Sequence, residues 1–171
     1  MSADVNFYDK IIISVISGMA GCILTLIIGG LVWFWRRHRE YQLLKDAIRR
    51  ECLSIISMIE SVRMTYSSVY ENNEWRADDS LLLRAKELLM TKFNDDKLLG
   101  AVSIAAAWVG ELNRLLELYR NECFHSSQTV LTEVPLYISK MHDAVLASFA
   151  KTSNALLGLA EHITPKLVSN G

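Results

Sequence analysis

The hydrophobic pattern of this chain changes after residue 35, from a continuous apolar run to a helical repeat. Residues 11–35 run for 25 positions without one charged side chain. At about 1.5 Å per residue, a helix of that length can cross a hydrocarbon core of about 30 Å. A cleaved signal peptide has a basic start and a shorter apolar core, so the pattern predicts an uncleaved transmembrane helix.

After the span, apolar residues recur at the spacing of an α-helix. The first stripe alternates steps of four and three residues, at Ile48, Cys52, Ile55, Ile59, Val62, Tyr66 and Val69. Leu53 and Ile56 widen it, which favours a packed bundle over a two-stranded coiled coil. The polar residues 71–74 then end this helix.

Three further helices are predicted after that interruption. Residues 78–80 supply N-cap chemistry for a helix over 80–93, and residues 94–96 do the same for the next one. The third helix carries its stripe at Leu98, Ala101, Ala105, Trp108, Leu112, Leu115 and Tyr119. The fourth helix starts at Thr132, has Pro135 in its first turn and ends at Pro165. Its predicted inner face consists of Ile138, Met141, Val145, Thr152, Leu156, Leu159 and Ile163.

The predicted fold class is therefore all-α, with one N-terminal transmembrane helix followed by a cytoplasmic helical bundle of about four helices. The expected domains are a short extracytoplasmic N-terminus (1–10), the transmembrane helix (11–35), the bundle (36–164) and a tail (165–171).

Charge beside the span predicts its orientation. Positions 36–50 hold six basic and two acidic residues, a net charge of +4, against −1 for the ten residues before the span. Because Lys and Arg stay on the cytoplasmic side, we expect the N-terminus outside and the C-terminus inside, in the cell's inner (plasma) membrane. The simpler interpretation of three basic residues is that they only set this orientation, and the alternative is that they also bind lipid head groups. These residues are Arg36, Arg37 and Arg39. We expect Trp33 and Trp35 to form the aromatic belt at the membrane interface.

The predicted span also carries small residues at four-residue spacing. Small-xxx-small stripes allow close helix approach in lipid, which indicates a homo-oligomer. The alternative is that Gly and Ser are simply common in membrane helices. The small-residue stripe consists of two adjacent strips, with Ser17, Gly21, Thr25 and Gly29 on one and Ser14 and Gly18 on the other.

Composition and motifs point to no chemistry. The net charge is −1, so no global field favours nucleic acid. Three widely spaced cysteines fit neither a disulfide framework nor a zinc site. Glu122 and His125 have the spacing used in di-iron bundles, but such a site needs a second copy, which the chain lacks. We predict no enzyme activity, no metal, no cofactor and no small-molecule substrate.

Three residues stand out as candidates for contact with a partner. Trp75 lies in a polar loop, where it either staples the loop to the bundle or forms an exposed contact. Asn113 and Arg114 interrupt an apolar run, and the simpler interpretation is a solvated face with Arg114 paired to Glu117.

The order of the predicted elements resembles that of small single-pass bacterial proteins of prophages and other mobile elements. These elements are the anchor, a long helix, a Trp-containing loop, a Leu-rich helix and the motif Glu-Leu-Asn-Arg-Leu-Leu (111–116). That resemblance implies a bacterial inner membrane and no particular activity. The expected function is a membrane-anchored interaction module, an adaptor, scaffold or regulatory subunit with a protein partner at the cytoplasmic membrane face. The alternative is an oligomerising effector of phage exclusion or anti-phage defence that perturbs the bilayer.

Overall fold

The fold is all-α, as predicted. The computed structural model describes the backbone of residues 2–65, 75–127 and 136–164, and the side chains of residues 10–64, 75–125 and 136–164. This part of the chain is 94% helical and contains no strand. Its helices are α1 (Ser2–Thr65), α2 (Ser80–Leu88) with a π-helical turn (Leu89–Phe93), α3 (Asp96–Ser127) and α4 (Leu136–Ile163).

The chain divides into two compact units, Met1–Leu43 and Leu44–Gly171, and α1 contributes to both. In the first unit, every side chain over residues 10–36 is exposed. One helix of the described chain is long and apolar enough to cross a membrane, and it includes this segment. Within the first unit, the described residues 2–43 form one continuous helix that is apolar over residues 11–35.

In the second unit, α1 supplies the first layer of the core. Five members of the predicted stripe are buried, and the remaining two, Tyr66 and Val69, lie outside the described residues. Leu53 was expected to widen the stripe and does not, because 44% of it is exposed, whereas Ile56 is half-buried. The buried set is Ile48, Cys52, Ile55, Ile59 and Val62.

The predicted helix over 80–93 is present, with α-helical and π-helical parts. The backbone N–H of Ser80 donates to the Asp78 carboxylate at 2.9 Å. That hydrogen bond lowers the pKa of Asp78. The helix ends at Asn94, whose φ of 53° lies in the left-handed region that Asn tolerates. Asp95 then caps α3 by accepting the N–H of Leu98 at 3.0 Å.

Helix α3 packs against both α2 and α4. Its buried stripe is displaced by one position from the predicted one at three levels. Ala101, Trp108 and Leu115 are only half-buried, and their neighbours Val102, Val109 and Leu116 are buried instead. The prediction was therefore correct about the helix and wrong about the direction that its apolar face takes at those levels.

Helix α4 completes the core. The predicted inner face is buried except for Met141, which is half-buried. The Thr152 hydroxyl donates to the backbone carbonyl of Trp108 at 3.2 Å, which joins α4 to α3. The predicted start at Thr132 and Pro135 and the predicted end at Pro165 lie outside the described residues.

Candidate functional site

The loop that leads into α2 is held on α3 by one side chain, Asn113. Its carboxamide forms two hydrogen bonds with the backbone of Ala77, accepting its N–H at 2.9 Å and donating to its carbonyl at 2.9 Å. Asn113 is 8% exposed and Ala77 is 2% exposed. The sequence interpretation placed Asn113 on a solvated face, and the structure corrects this. We call this pair of hydrogen bonds the Asn113 clamp.

The same loop is also fixed by an aromatic contact. The half-buried ring of Trp75 lies 6.4 Å from the ring of Phe149, centroid to centroid, with the two planes tilted by 46°. Phe149 is fully buried on α4. Of the two interpretations of Trp75, this contact favours the staple that joins the loop to the bundle.

A polar pocket of about 200 Å³ lies beside the clamped loop and α3. It is smaller than the roughly 300–1,000 Å³ typical of small-molecule sites, so its size suits one protein side chain or a small anion. Its charged lining consists of two arginines and one glutamate. The lining residues are Trp75, Arg76, Asn113, Leu116, Glu117, Arg120 and Asn121.

Arg114, which follows Asn113 on α3, forms an ion pair with a different partner from the one predicted. Its Nε and Nη2 atoms donate to the two carboxylate oxygens of Glu111, at 2.9 and 2.8 Å. Glu117 was the expected partner, at the same distance along the chain in the other direction. The hydrogen bonds from Arg114 lower the pKa of Glu111 and raise that of Arg114. Both side chains are well exposed, so the pair orients charge at the surface and adds little stability.

The small-residue stripe of the apolar helix is open along its length. The described side chains of residues 10–36, which include all six stripe residues, are exposed. The Thr25 hydroxyl donates to the Gly21 carbonyl at 2.8 Å, so that polar group is satisfied within the helix. A Cβ atom added at Gly18, Gly21 or Gly29 would meet nothing within 4 Å. Larger side chains would therefore fit on this helix without disturbing it.

Two arginines form cation–π contacts with the tryptophans at the end of the apolar segment. The Arg37 guanidinium lies 5.1 Å from the centroid of the Trp33 ring, and that of Arg39 lies 5.7 Å from Trp35. Arg36 forms an ion pair with Glu40 at 3.3 Å.

The described residues do not assemble a metal site or a nucleophilic site. No group of three or more His, Cys, Asp or Glu side chains among them could hold a metal ion. Cys123 is buried and His125, two residues further along α3, is exposed, so these two side chains do not form a nucleophilic pair. His142 is buried, with its ring 5.8 Å from that of Tyr119.

Burial raises the pKa of the Cys52 thiol to about 12. Since only the thiolate reacts with iodoacetamide, we expect Cys52 to stay almost unlabelled from pH 7 to 9 in the folded chain. A variant with alanine at Cys22 and Cys123 isolates its signal, and mass spectrometry gives the rate. Unfolding in guanidinium should restore ordinary thiol reactivity. Rapid labelling of the folded chain at pH 8 would contradict the burial of this thiol.

No protein family, curated protein or solved structure matches this chain.

Proposed function

We propose that this chain is a single-pass, membrane-anchored interaction module without catalytic activity. One observation carries the proposal: an apolar helix with every described side chain from 10 to 36 exposed adjoins a helical unit that has its own core. An exposed apolar surface of that extent is typical of a segment that lies in a bilayer or against another protein. A bilayer fits better, because residues 11–35 contain no charge and basic residues follow directly.

The proposed orientation places the N-terminus outside and the helical unit at the cytoplasmic face of the inner membrane. The flanking charges of +4 and −1 support it. Anchoring confines the unit to the membrane surface and raises its effective concentration toward partners at the same surface. The absence of charged residues within 11–35 favours an anchor over the lining of an aqueous pore.

The partner-binding surface in this proposal is the pocket beside the Asn113 clamp. Trp75 lines this surface as a contact candidate, together with the exposed pocket residues Arg76 and Asn121. Arg114, the exposed neighbour of Asn113 on α3, stays a further contact candidate. The role of Asn113 is indirect, because its carboxamide is engaged with Ala77. The clamp positions the loop, and the loop supplies one wall of the surface.

Site-specific photocrosslinking tests this proposal. A photoreactive residue replaces Asn121 in the tagged chain at its native level, and mass spectrometry identifies the products. The matched control carries the same residue at Leu157, an exposed position on α4. One dominant foreign protein captured only from position 121 supports the module. Crosslinks of the chain with itself alone, together with loss of membrane potential on overproduction, would instead support the bilayer-perturbing effector.

Self-association through the small-residue stripe is a separate part of the proposal. We expect Gly21→Leu with Gly29→Leu to lower dimerisation in the membrane by about tenfold or more, because close backbone approach is lost. Gly30→Leu is the matched control, since Gly30 lies beside the stripe and an added Cβ there also meets nothing within 4 Å. Energy transfer between labelled copies in vesicles measures the dimer. Equal effects from both sets of variants would contradict an interface at this stripe.

A further inference from the structure

Arg76 lies between two residues that are fixed on the core of the helical unit. The ring of its predecessor, Trp75, lies 6.4 Å from that of the buried Phe149, centroid to centroid. The backbone of its successor, Ala77, is held by the Asn113 clamp. Because both neighbours are fixed, the backbone of Arg76 has little conformational entropy left to lose on binding. The loop therefore presents one arginine side chain from a rigid base.

The side chain of Arg76 is exposed and lines the pocket beside the clamp. Within the part of the chain that the structure describes, it forms no hydrogen bond, ion pair or ring contact. Its five N–H donors are therefore open to a ligand. Arg114 shows the geometry that a carboxylate adopts on such a group, since both carboxylate oxygens of Glu111 accept from its Nε and Nη2 atoms.

The charge of the pocket lining decides which anion matches it. The lining holds two arginines and one glutamate, a net charge of +1, from Arg76, Arg120 and Glu117. Arg120 has an interaction of its own, so it contributes charge and Arg76 contributes the donors. A carboxylate carries −1 and balances the lining, whereas a phosphate group carries about −1.5 to −2 and would leave an excess of negative charge. The best-matched occupant is therefore a carboxylate.

We propose that this pocket binds an acidic side chain, Asp or Glu, of the protein partner, with the Arg76 guanidinium donating to both carboxylate oxygens. Such binding rests on the proposed function and specifies the chemistry of the partner. Trp and Arg are also the residue types that most often dominate binding energy at protein interfaces, and Trp75 and Arg76 are adjacent here.

Glu117 acts against the same contact. Its exposed side chain lines the pocket and forms no ion pair with a described residue. Its carboxylate therefore repels an incoming acid across a cavity of about 200 Å³. Arg76 and Glu117 thus influence binding in opposite directions. For a basic occupant both effects would be reversed, so the sign of each effect identifies the charge of the occupant.

Photocrosslinking from position 121 of the full chain, at its native level, tests each charge. Arg76→Gln removes the paired donors, and we expect it to lower the yield of the dominant foreign product by about three- to tenfold. Glu117→Gln should raise that yield by about twofold, because it removes the repulsion. The matched control is Arg84→Gln, which removes an exposed arginine of α2 outside the pocket and should leave the yield unchanged.

A double-mutant cycle then identifies the acid itself. Mass spectrometry locates the crosslinked segment of the partner, and an acidic residue of that segment is replaced by its amide. We expect this change to lower the yield as much as Arg76→Gln does. The two changes together should cause no further loss, because they remove the same contact. Additive losses would show that Arg76 acts on another group.

Three further results would overturn the inference. Equal yields from wild type and Arg76→Gln would mean that the arginine does not hold the partner. A rise with Arg76→Gln and a fall with Glu117→Gln would identify a basic occupant. An equal loss from Arg84→Gln would indicate attraction by general charge alone. In each case a foreign protein is still captured, so the proposed function stands. Absence of any foreign product from position 121 refutes the proposed function and this inference with it.

Discussion

Replacing Phe149 with alanine should lower the free energy of unfolding by about 3–5 kcal/mol, the largest effect expected from one substitution in this chain. The Phe149 side chain is fully buried on α4, and its ring contacts that of Trp75. Truncation removes the transfer free energy of the ring and leaves a cavity in the core. It also removes the surface on which Trp75 packs, so the loop should loosen as the core weakens.

Urea unfolding of the full chain in detergent micelles, followed by circular dichroism, measures this loss. Leu157→Ala provides the control, because Leu157 lies on the same helix and is 46% exposed. We expect the control to cost about 1 kcal/mol or less. Equal losses from the two substitutions would contradict the assignment of Phe149 to the core.

The second large effect is expected at the Asn113 clamp. Asn113→Ala removes both hydrogen bonds to Ala77 and leaves a buried backbone N–H and a buried carbonyl without their protein partner. Each unsatisfied buried group costs about 1–3 kcal/mol, so we expect a total loss of about 2–4 kcal/mol. The same urea titration measures it. Asn121→Ala, an exposed asparagine on the same helix, should change the free energy of unfolding by less than about 0.5 kcal/mol.

In the variant Asn113→Asp, the hydrogen bond to the Ala77 carbonyl should depend on pH, whereas the hydrogen bond from the Ala77 N–H should not. An ionised aspartate can still accept the Ala77 N–H, but it repels the Ala77 carbonyl. A protonated aspartate can donate to that carbonyl, so the folded state should raise the pKa of the new carboxyl above its unfolded value. Relative to wild type, the free energy of unfolding of this variant should then be highest below about pH 4. It should fall as pH rises through the pKa that the new carboxyl has in the folded state. A pH-independent difference from wild type would contradict the donor role of the amide.

Helix positions could be predicted from the sequence because apolar spacing and cap residues are local signals. The register of α3 could not, for a specific reason. At residues 101–102, 108–109 and 115–116 both neighbours are apolar, so two adjacent stripes fit the same helical period. The choice between them depends on the positions of α2 and α4, which periodicity does not contain.

The candidate site was harder to predict because its contacts are non-local. Asn113 looks like a surface residue until its carboxamide is matched with the backbone of Ala77, 36 positions away. Arg114 had acids three residues away on both sides, and spacing alone did not distinguish Glu111 from Glu117. The pocket follows from these contacts. Its arginines are 44 positions apart in the sequence, at 76 and 120, and no motif links them.

The distance along the chain that the clamp spans has a consequence for the order of folding. Closing a segment of 36 residues carries a larger entropic cost than closing the short turn between α2 and α3. The α2–α3 pair should therefore form early, and its packing brings Ala77 within reach of Asn113. The two hydrogen bonds of the clamp can then form at a low additional entropic cost. The clamp is accordingly expected to close late in folding, after the helices that it secures have met.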